Sequence, residues 1–210
     1  MKTPILYIPS IQKNLNIKLS KSQIAKLPKT LFLAYTIQYK KLAEHIGKQL
    51  KKNKIKIGGF KQVLGCTKIN TPLPILLIST GKFHAQNLML QSPIIYITEN
   101  NKIIKIPNKE IARLKAKKKT ALIKFLKANK IGILVSTKPG QENLQRAVKL
   151  KQKLEKKHKQ KQVFIFISNN INTSQFENFN INSWVNTACP GLAFDNPNIL
   201  NIDDIIPKFI

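Results

Sequence analysis

The chain has 210 residues, of which 42% are hydrophobic, so it can bury one sizeable core or two small ones. Its 37 Lys+Arg against 9 Asp+Glu give a formal charge of +28, which attracts polyanions such as RNA, although a coding bias or a solvated surface would also produce Lys-rich composition. No apolar run approaches the ~20 residues of a membrane span and the N-terminus lacks a secretory pattern, so we expect a cytoplasmic protein without a membrane partner.

The first half of the chain alternates short apolar runs with one Lys-rich amphipathic segment. The apolar runs predict strands at residues 5–8, 31–34, 75–78 and 94–97. Between the second and third runs, residues 39–52 place Leu42, Ile46 and Leu50 at helical spacing, with lysines on the other faces. A turn is predicted at residues 99–101.

The second half repeats this alternation. A long basic helix is predicted over residues 108–129, and we place a domain boundary near its start. A second helix is predicted over residues 142–157, with Leu144, Val148 and Leu154 on one side. The remaining predicted elements are strands at residues 131–135, 162–167 and 183–186 and a short helix at residues 173–179.

Strands that alternate with helices and are almost continuously apolar predict an α/β fold with mostly parallel sheets. We therefore expect two tandem small domains, residues 1–110 and 111–210, each a mostly parallel sheet flanked by helices.

Four turns could carry chemistry, because ligands of open parallel sheets bind beyond the carboxyl ends of strands. They are residues 62–66 (QVLGC), 79–84 (STGKFH), 135–141 (VSTKPGQ) and 185–190 (VNTACP). Taken singly, each is weak, because Gly-containing turns between strands and helices are common and none has the glycine spacing of a nucleotide-binding loop.

The two cysteines, Cys66 and Cys189, both lie in these turns. A free cysteine is often a small buried hydrophobe, but a thiolate in a loop can also point into a cleft. They stand far apart and form no CxxC motif, and without an export signal we expect a reducing compartment and no structural disulfide. No Cys/His pair has the spacing of a zinc finger. We find no Ser-His-Asp signature, and the few acidic residues leave little material for a pair of catalytic carboxylates.

In this order and with these gaps, the four turns resemble the archaeal diphthamide synthases, the 2-(3-amino-3-carboxypropyl)histidine synthase family, over residues 5 to about 195. The resemblance implies three similar α/β domains, each of which gives one cysteine to a central 4Fe–4S cluster. It implies that the fourth iron binds S-adenosylmethionine, and that the reduced cluster cleaves it to a 3-amino-3-carboxypropyl radical. This radical adds to a histidine of translation elongation factor two.

The resemblance also assigns residues. Cys66 matches the cluster ligand of the family's middle domain, and Cys189 matches that of the last domain. A loop near the S-adenosylmethionine pocket is matched by Thr137, Lys138, Gly140 and Gln141. A second pocket-facing loop is matched by Gly81, Phe83 and His84. Neither the resemblance nor the residues identify a catalytic acid or base.

Two departures bear on function. The family usually has Arg after Ala-Cys-Pro, where this chain has Gly191, and the first domain with its third cysteine is not in this sequence. We therefore expect a split enzyme, in which another polypeptide supplies that domain and docks on an exposed apolar patch in a homo- or hetero-oligomer. The alternative is a non-catalytic basic module that binds the elongation factor or RNA.

Overall fold

The computed structural model describes residues 6, 8–12, 18–99 and 102–209, the side chains of residues 195 and 206–209 excepted. The chain divides into two compact units, Met1–Ala112 and Arg113–Ile210. Within the described residues, no helix combines the length and the apolar character that crossing a membrane requires.

The first unit is built on a five-stranded sheet of order β2-β1-β3-β4-β5. Neighbouring strands run parallel except β5, which pairs antiparallel with β4. Its elements are α1 (Lys21–Ala25), β1 (Thr30–Tyr35), α2 (Lys40–Lys52), β2 (Lys56–Gln62), β3 (Ile75–Ile78), α3 (Phe83–Met89), β4 (Ile95–Glu99) and β5 (Lys102–Lys105), and α4 (Asn108–Lys127) follows.

Helix α2 covers one face of this sheet with the apolar stripe that its sequence predicts. Leu42, Ile46 and Leu50 are buried in one core cluster with leucines of β1 and β3. The lysines of α2 are exposed, because a helix of period 3.6 places residues three and four apart on one face and leaves the other faces to solvent.

The second unit contains a four-stranded, all-parallel sheet of order β7-β6-β8-β9. Its elements after α4 are β6 (Lys130–Ser136), α5 (Leu144–Lys157), β7 (Gln162–Ser168), β8 (Ser183–Asn186), α6 (Leu192–Asp195), β9 (Ile199–Asn201) and α7 (Ile202–Phe209), with a 3-10 helix at Thr173–Asn178 before β8. The end of α4 and the inner face of α5 pack in one cluster with β6.

The buried face of α5 differs from the predicted one. Ala147, Leu150 and Leu154 face the core, whereas Leu144 and Val148 are 38% and 37% exposed. The prediction followed the two largest apolar residues of the first turns, but the small Ala147 fits closer to the sheet. Leu144 and Val148 therefore lie on the solvent side.

The predicted fold class is confirmed: both sheets are mostly parallel and flanked by helices. The prediction of a strand at residues 5–8 is wrong for the two residues that the structure describes, because Leu6 and Ile8 are exposed and belong to no strand. Residues 5 and 7 lie outside the described part of the chain, as do residues 100 and 101 of the predicted turn. Residues 183–186 were predicted as the last strand, but β9 follows them.

Candidate functional site

In the first unit, two turns lie at the same edge of the sheet. Tyr35, the last residue of β1, pairs with Gln62 at the end of β2 and with Ile78 at the end of β3. The turn after β2 carries Cys66, which is exposed, and the turn after β3 leads into α3. The two predicted turns therefore lie on opposite sides of the carboxyl end of β1.

These two turns touch each other. A Cβ atom at Gly65 would lie 2.9 Å from Cε1 of Phe83, so the backbone next to Cys66 packs directly on the ring of Phe83. Phe83 and His84 were predicted as part of a loop, but both belong to the first turn of α3. The contact gives Gly65 a role, because no larger residue fits there without moving the ring.

Helix α3 and the residues directly after it also hold the Cys66 turn by hydrogen bonds. The carbonyl oxygen of Thr67 accepts bonds from Asn87 Nδ2 at 3.0 Å and from Gln91 Nε2 at 3.2 Å. Gln91 Oε1 accepts a bond from the backbone N–H of Ile69 at 2.7 Å, and the Thr67 hydroxyl accepts one from Leu64 N–H at 2.8 Å. The thiol is thus exposed on a turn whose backbone is held on both sides.

Three buried polar atoms of the turn after β3 and of α3 have no hydrogen-bond partner in the described part of the chain: Ser79 Oγ, His84 Nδ1 and Gln86 Oε1. Burial lowers the pKa of His84, which favours the neutral imidazole. Gly81, which lies between Ser79 and His84 in the sequence, has a φ of +68°, a conformation that glycine adopts without strain. A neutral imidazole can still accept or donate a hydrogen bond to a polar ligand.

In the second unit, the other two predicted turns lie together at the end of the neighbouring strands β6 and β8. Asn143 joins them, because its Nδ2 donates to the carbonyl oxygen of Thr187 at 2.8 Å. The first turn is fixed by bonds from Lys138 N–H to Ser136 Oγ at 3.1 Å and from Gln141 N–H to the Lys138 carbonyl at 3.0 Å. Gly140, with a φ of +76°, lets the chain reverse there, and Thr137 and Lys138 are exposed.

The turn with Cys189 is held by Asn186, a buried side chain that the sequence reasoning missed. Asn186 Oδ1 accepts the N–H of Ala188 at 2.9 Å, and its Nδ2 donates to the carbonyl oxygens of Cys189 and the Asn201 side chain, both at 2.8 Å. Asn201 Nδ2 in turn donates to the Pro190 carbonyl at 3.2 Å. Cys189 itself is half-buried.

The structure thus brings Cys66 together with the Phe83 and His84 region in the first unit. In the second unit it brings the turn of Cys189 together with the turn of Thr137, Lys138, Gly140 and Gln141. Among the described residues, no group of three or more His, Cys, Asp or Glu side chains could hold a metal ion. An Asn that precedes a turn often bonds to the backbone two residues on, so Asn186 carried a recognisable signal.

Comparisons with known proteins give a consistent result. The profile of the diphthamide synthesis protein family matches residues 1–199. The 2-(3-amino-3-carboxypropyl)histidine synthase of Pyrococcus horikoshii is 27% identical over an alignment 217 residues long. The alignment covers 93% of this chain and 61% of that protein.

Two crystal structures of Dph2 from Pyrococcus horikoshii, one of them with a 4Fe-4S cluster, share the fold with a TM-score of 0.72. They are 23% identical in sequence, and the match covers 88% of this chain and 58% of theirs. The chain therefore spans about three fifths of the length of the relatives that it matches.

Proposed function

The chain belongs to the diphthamide synthesis protein family, and from this premise we propose that it is part of an iron–sulfur enzyme of diphthamide synthesis. This enzyme transfers a 3-amino-3-carboxypropyl group from S-adenosylmethionine to a histidine of translation elongation factor two. The observation that carries the proposal is the position of the two thiols: each unit presents one cysteine in a fastened turn at the carboxyl edge of its parallel sheet.

The two thiols suit iron ligation in kind but not in number. Thiolates are the usual ligands of iron–sulfur clusters, and both cysteines are free. The sequence contains only these two cysteines, so a third thiolate comes from outside its 210 residues. We propose that a separate polypeptide supplies it. When bound, the cluster supplies the electron that cleaves S-adenosylmethionine.

The chain's own residues position these thiols and the substrate. Asn186 fixes the backbone on both sides of Cys189, and Asn87 and Gln91 fix the turn of Cys66, so the backbone that carries each thiol is held in place. In many metal sites such outer partners set ligand orientation and affinity.

The turn beside Cys189 is the proposed binding place for the amino-acid part of S-adenosylmethionine. Lys138 is exposed there, and its ammonium can pair with the substrate carboxylate. The backbone around Gly140 and the Thr137 hydroxyl offer further polar groups at the same strand end. In the first unit, the unpartnered His84 Nδ1 and Ser79 Oγ are the proposed polar contacts for substrate.

The test is anaerobic reconstitution with iron and sulfide, in which bound iron is quantified and the dithionite-reduced protein is examined by electron paramagnetic resonance. The chain is reconstituted alone and with the polypeptide that carries the third cysteine. We expect a 4Fe–4S signal that requires both chains, shifts with S-adenosylmethionine and is lost in Cys66→Ala and Cys189→Ala. The control is Ser22→Ala, an equally small change at an exposed position of α1.

Transfer of the 3-amino-3-carboxypropyl group is measured separately, as the incorporation of label from carboxyl-labelled S-adenosylmethionine into elongation factor two. Lys138→Ala is expected to raise the KM for S-adenosylmethionine while cluster content stays at the wild-type level, because the ammonium contacts the substrate and not the iron. The proposal would be refuted by a cluster that still forms in both Cys66→Ala and Cys189→Ala, or by the absence of a cluster both in the chain alone and with the second polypeptide. Either result would leave a non-catalytic binding module.

A further inference from the structure

A concave basic groove lies on the first unit, away from the turns described above. Its volume is about 560 Å³, and it is lined by Lys18, His45, Lys48, Gln49, Lys51 and Lys52. Four of these six residues are lysines and none is acidic. The groove therefore gathers positive charge in a concavity, where a field is focused more strongly than on a convex surface.

Helix α2 forms one wall of this groove. Lys48, Lys51 and Lys52 are spaced three and four residues apart, so they project from the same side of the helix, and all three are exposed. Their side chains are opposite to the buried stripe of Leu42, Ile46 and Leu50. The core packing of α2 thus fixes the direction of the basic wall.

Lys18 is brought to the groove by Gln49. The side-chain amide of Gln49 donates to the Leu19 carbonyl oxygen at 2.6 Å and accepts the Leu19 N–H at 3.1 Å, as a neighbouring strand would. The Leu19 side chain is 4% exposed and packs in the core cluster with α2. The backbone next to Lys18 is thus held on α2, and less entropy is lost when a ligand orders this lysine.

Among the described residues, no carboxylate lines the groove, and Glu44, the one acidic residue of α2, lies one turn before Lys48 and can offset at most one of the four positive charges. Within the described part of the chain, none of the groove's four lysines forms an ion pair, whereas Lys118 pairs with Asp204 and Lys151 with Glu155. Like charges held this close repel each other, and a bound polyanion relieves the repulsion.

We propose that this groove binds the phosphodiester backbone of RNA. Lysine binds phosphate as a point charge, and all four charged residues that line the groove are lysines. The lining contains no Phe, Tyr or Trp on which a base could stack. The contact is therefore made to the backbone and is independent of base sequence.

The first test compares two triple substitutions that remove the same charge. Binding of a labelled oligouridylate is followed by fluorescence anisotropy across a range of salt concentrations. For Lys48→Ala, Lys51→Ala and Lys52→Ala together, the slope of log K against log salt becomes shallower by about 2, because each lost phosphate contact removes about 0.7. The control replaces Lys149, Lys153 and Lys156, exposed residues of α5, and changes the slope by less than about 0.5.

A second test leaves the charge unchanged. Gln49→Leu removes both bonds to Leu19, so Lys18 is no longer held at the groove, and the slope becomes shallower by about 0.7. The matched control is Gln152→Leu on the exposed side of α5, which is expected to bind as the wild type does. Circular dichroism and thermal unfolding verify that each variant is folded.

Equal losses in the two triple variants would overturn the proposal, since total charge would then explain the binding. Displacement of the RNA by polyglutamate as readily as by unlabelled oligouridylate would also overturn it, and would assign the groove to an acidic protein surface. The result is separable from the proposed enzyme function, because Cys66→Ala and Cys189→Ala are expected to leave RNA binding unchanged.

Discussion

Asn186 is the residue on which the Cys189 turn depends most. It is 1% exposed, and its amide satisfies the backbone on both sides of the cysteine. Asn186→Ala leaves Ala188 N–H and the Cys189 carbonyl without these partners in a partly buried place, which costs about 1–3 kcal/mol of unfolding free energy. Urea unfolding measures this loss.

The same variant also separates positioning from ligation, because it keeps both thiols. In reconstitution with the polypeptide that carries the third cysteine, Asn186→Ala is expected to bind less iron than Asn178→Ala, an exposed control in the 3-10 helix. Wild-type stability and iron content in Asn186→Ala would contradict a positioning role.

His84 predicts a pH dependence of stability. Burial lowers its folded-state pKa below the ordinary value of 6.5, so the unfolded chain binds a proton that the folded chain does not over the interval beneath that value. Stability therefore falls as pH falls below about 6.5.

His84→Gln cannot take up this proton and is expected to show a flatter decline. Urea unfolding at about pH 7.5 and about pH 5.5 measures the difference, because linkage relates the slope to bound protons. Parallel declines for the wild type and His84→Gln would show that other groups cause the loss.

At the scale of elements, Gly132 allows β6 to pack against the aromatic cluster, which consists of Phe166, Phe176, Phe179 and Trp184. A Cβ there would lie 2.4 Å from Trp184 Cε3 and 3.2 Å from Phe166 Cε2. Trp184 is 3% exposed and stacks on Phe176 with ring centroids 4.2 Å apart, so it has no space to move into. Gly132→Ala is therefore expected to destabilise the protein by about 1–3 kcal/mol in urea unfolding.

Gly58→Ala is the matched control on β2. Its Cβ would approach Cδ1 of Leu73 at 2.3 Å, but this atom ends a flexible side chain that can turn away. The expected change is within about 1 kcal/mol of wild type, because rotation of Leu73 relieves the clash and the lower entropy of the unfolded chain offsets the rest. If both alanines cost the same, rigidity of the aromatic cluster is not the cause.

The sequence predicted those elements whose signal lies within a few residues. Strand β3 begins and ends where its apolar run does, β8 has the predicted bounds, and α2 and α4 follow helical periodicity. By contrast, β2 is an edge strand with Gly58 and Gly59 in its middle and little burial, so it carries no apolar run. Helix α3 begins directly after a turn-like Ser-Thr-Gly-Lys segment, which hid its first turn.

The candidate site was predictable only in part, for the same reason. The four turns follow strand ends, and their chemistry is visible in sequence. The contacts that hold them join distant residues: Thr67 with Gln91, and Asn143 with Thr187. Such pairs depend on strand order, and no local pattern of a single chain encodes that order.

At the scale of the whole molecule, charge is the dominant unbalanced feature. Nine acidic residues can neutralise at most nine of the 37 basic ones, which leaves the net charge of +28. A large net charge destabilises a compact state by self-repulsion, and salt screens it as the Debye length shortens from about 30 Å at 0.01 M to about 10 Å at 0.1 M. We therefore expect Tm to rise when sodium chloride increases over this range.

Salt also weakens favourable ion pairs, which opposes this rise in Tm. This effect is small, because exposed ion pairs such as Lys82–Glu110 contribute about 0–1 kcal/mol each. The variant with alanine at Lys149, Lys153 and Lys156 tests the cause, since it lowers the charge from +28 to +25. It is expected to be more stable than wild type at low salt and to gain less on adding salt. Sodium chloride is the proper salt, because sulfate strengthens apolar burial by itself. A Tm that falls with sodium chloride would mean that ion pairs outweigh repulsion despite the excess of lysine.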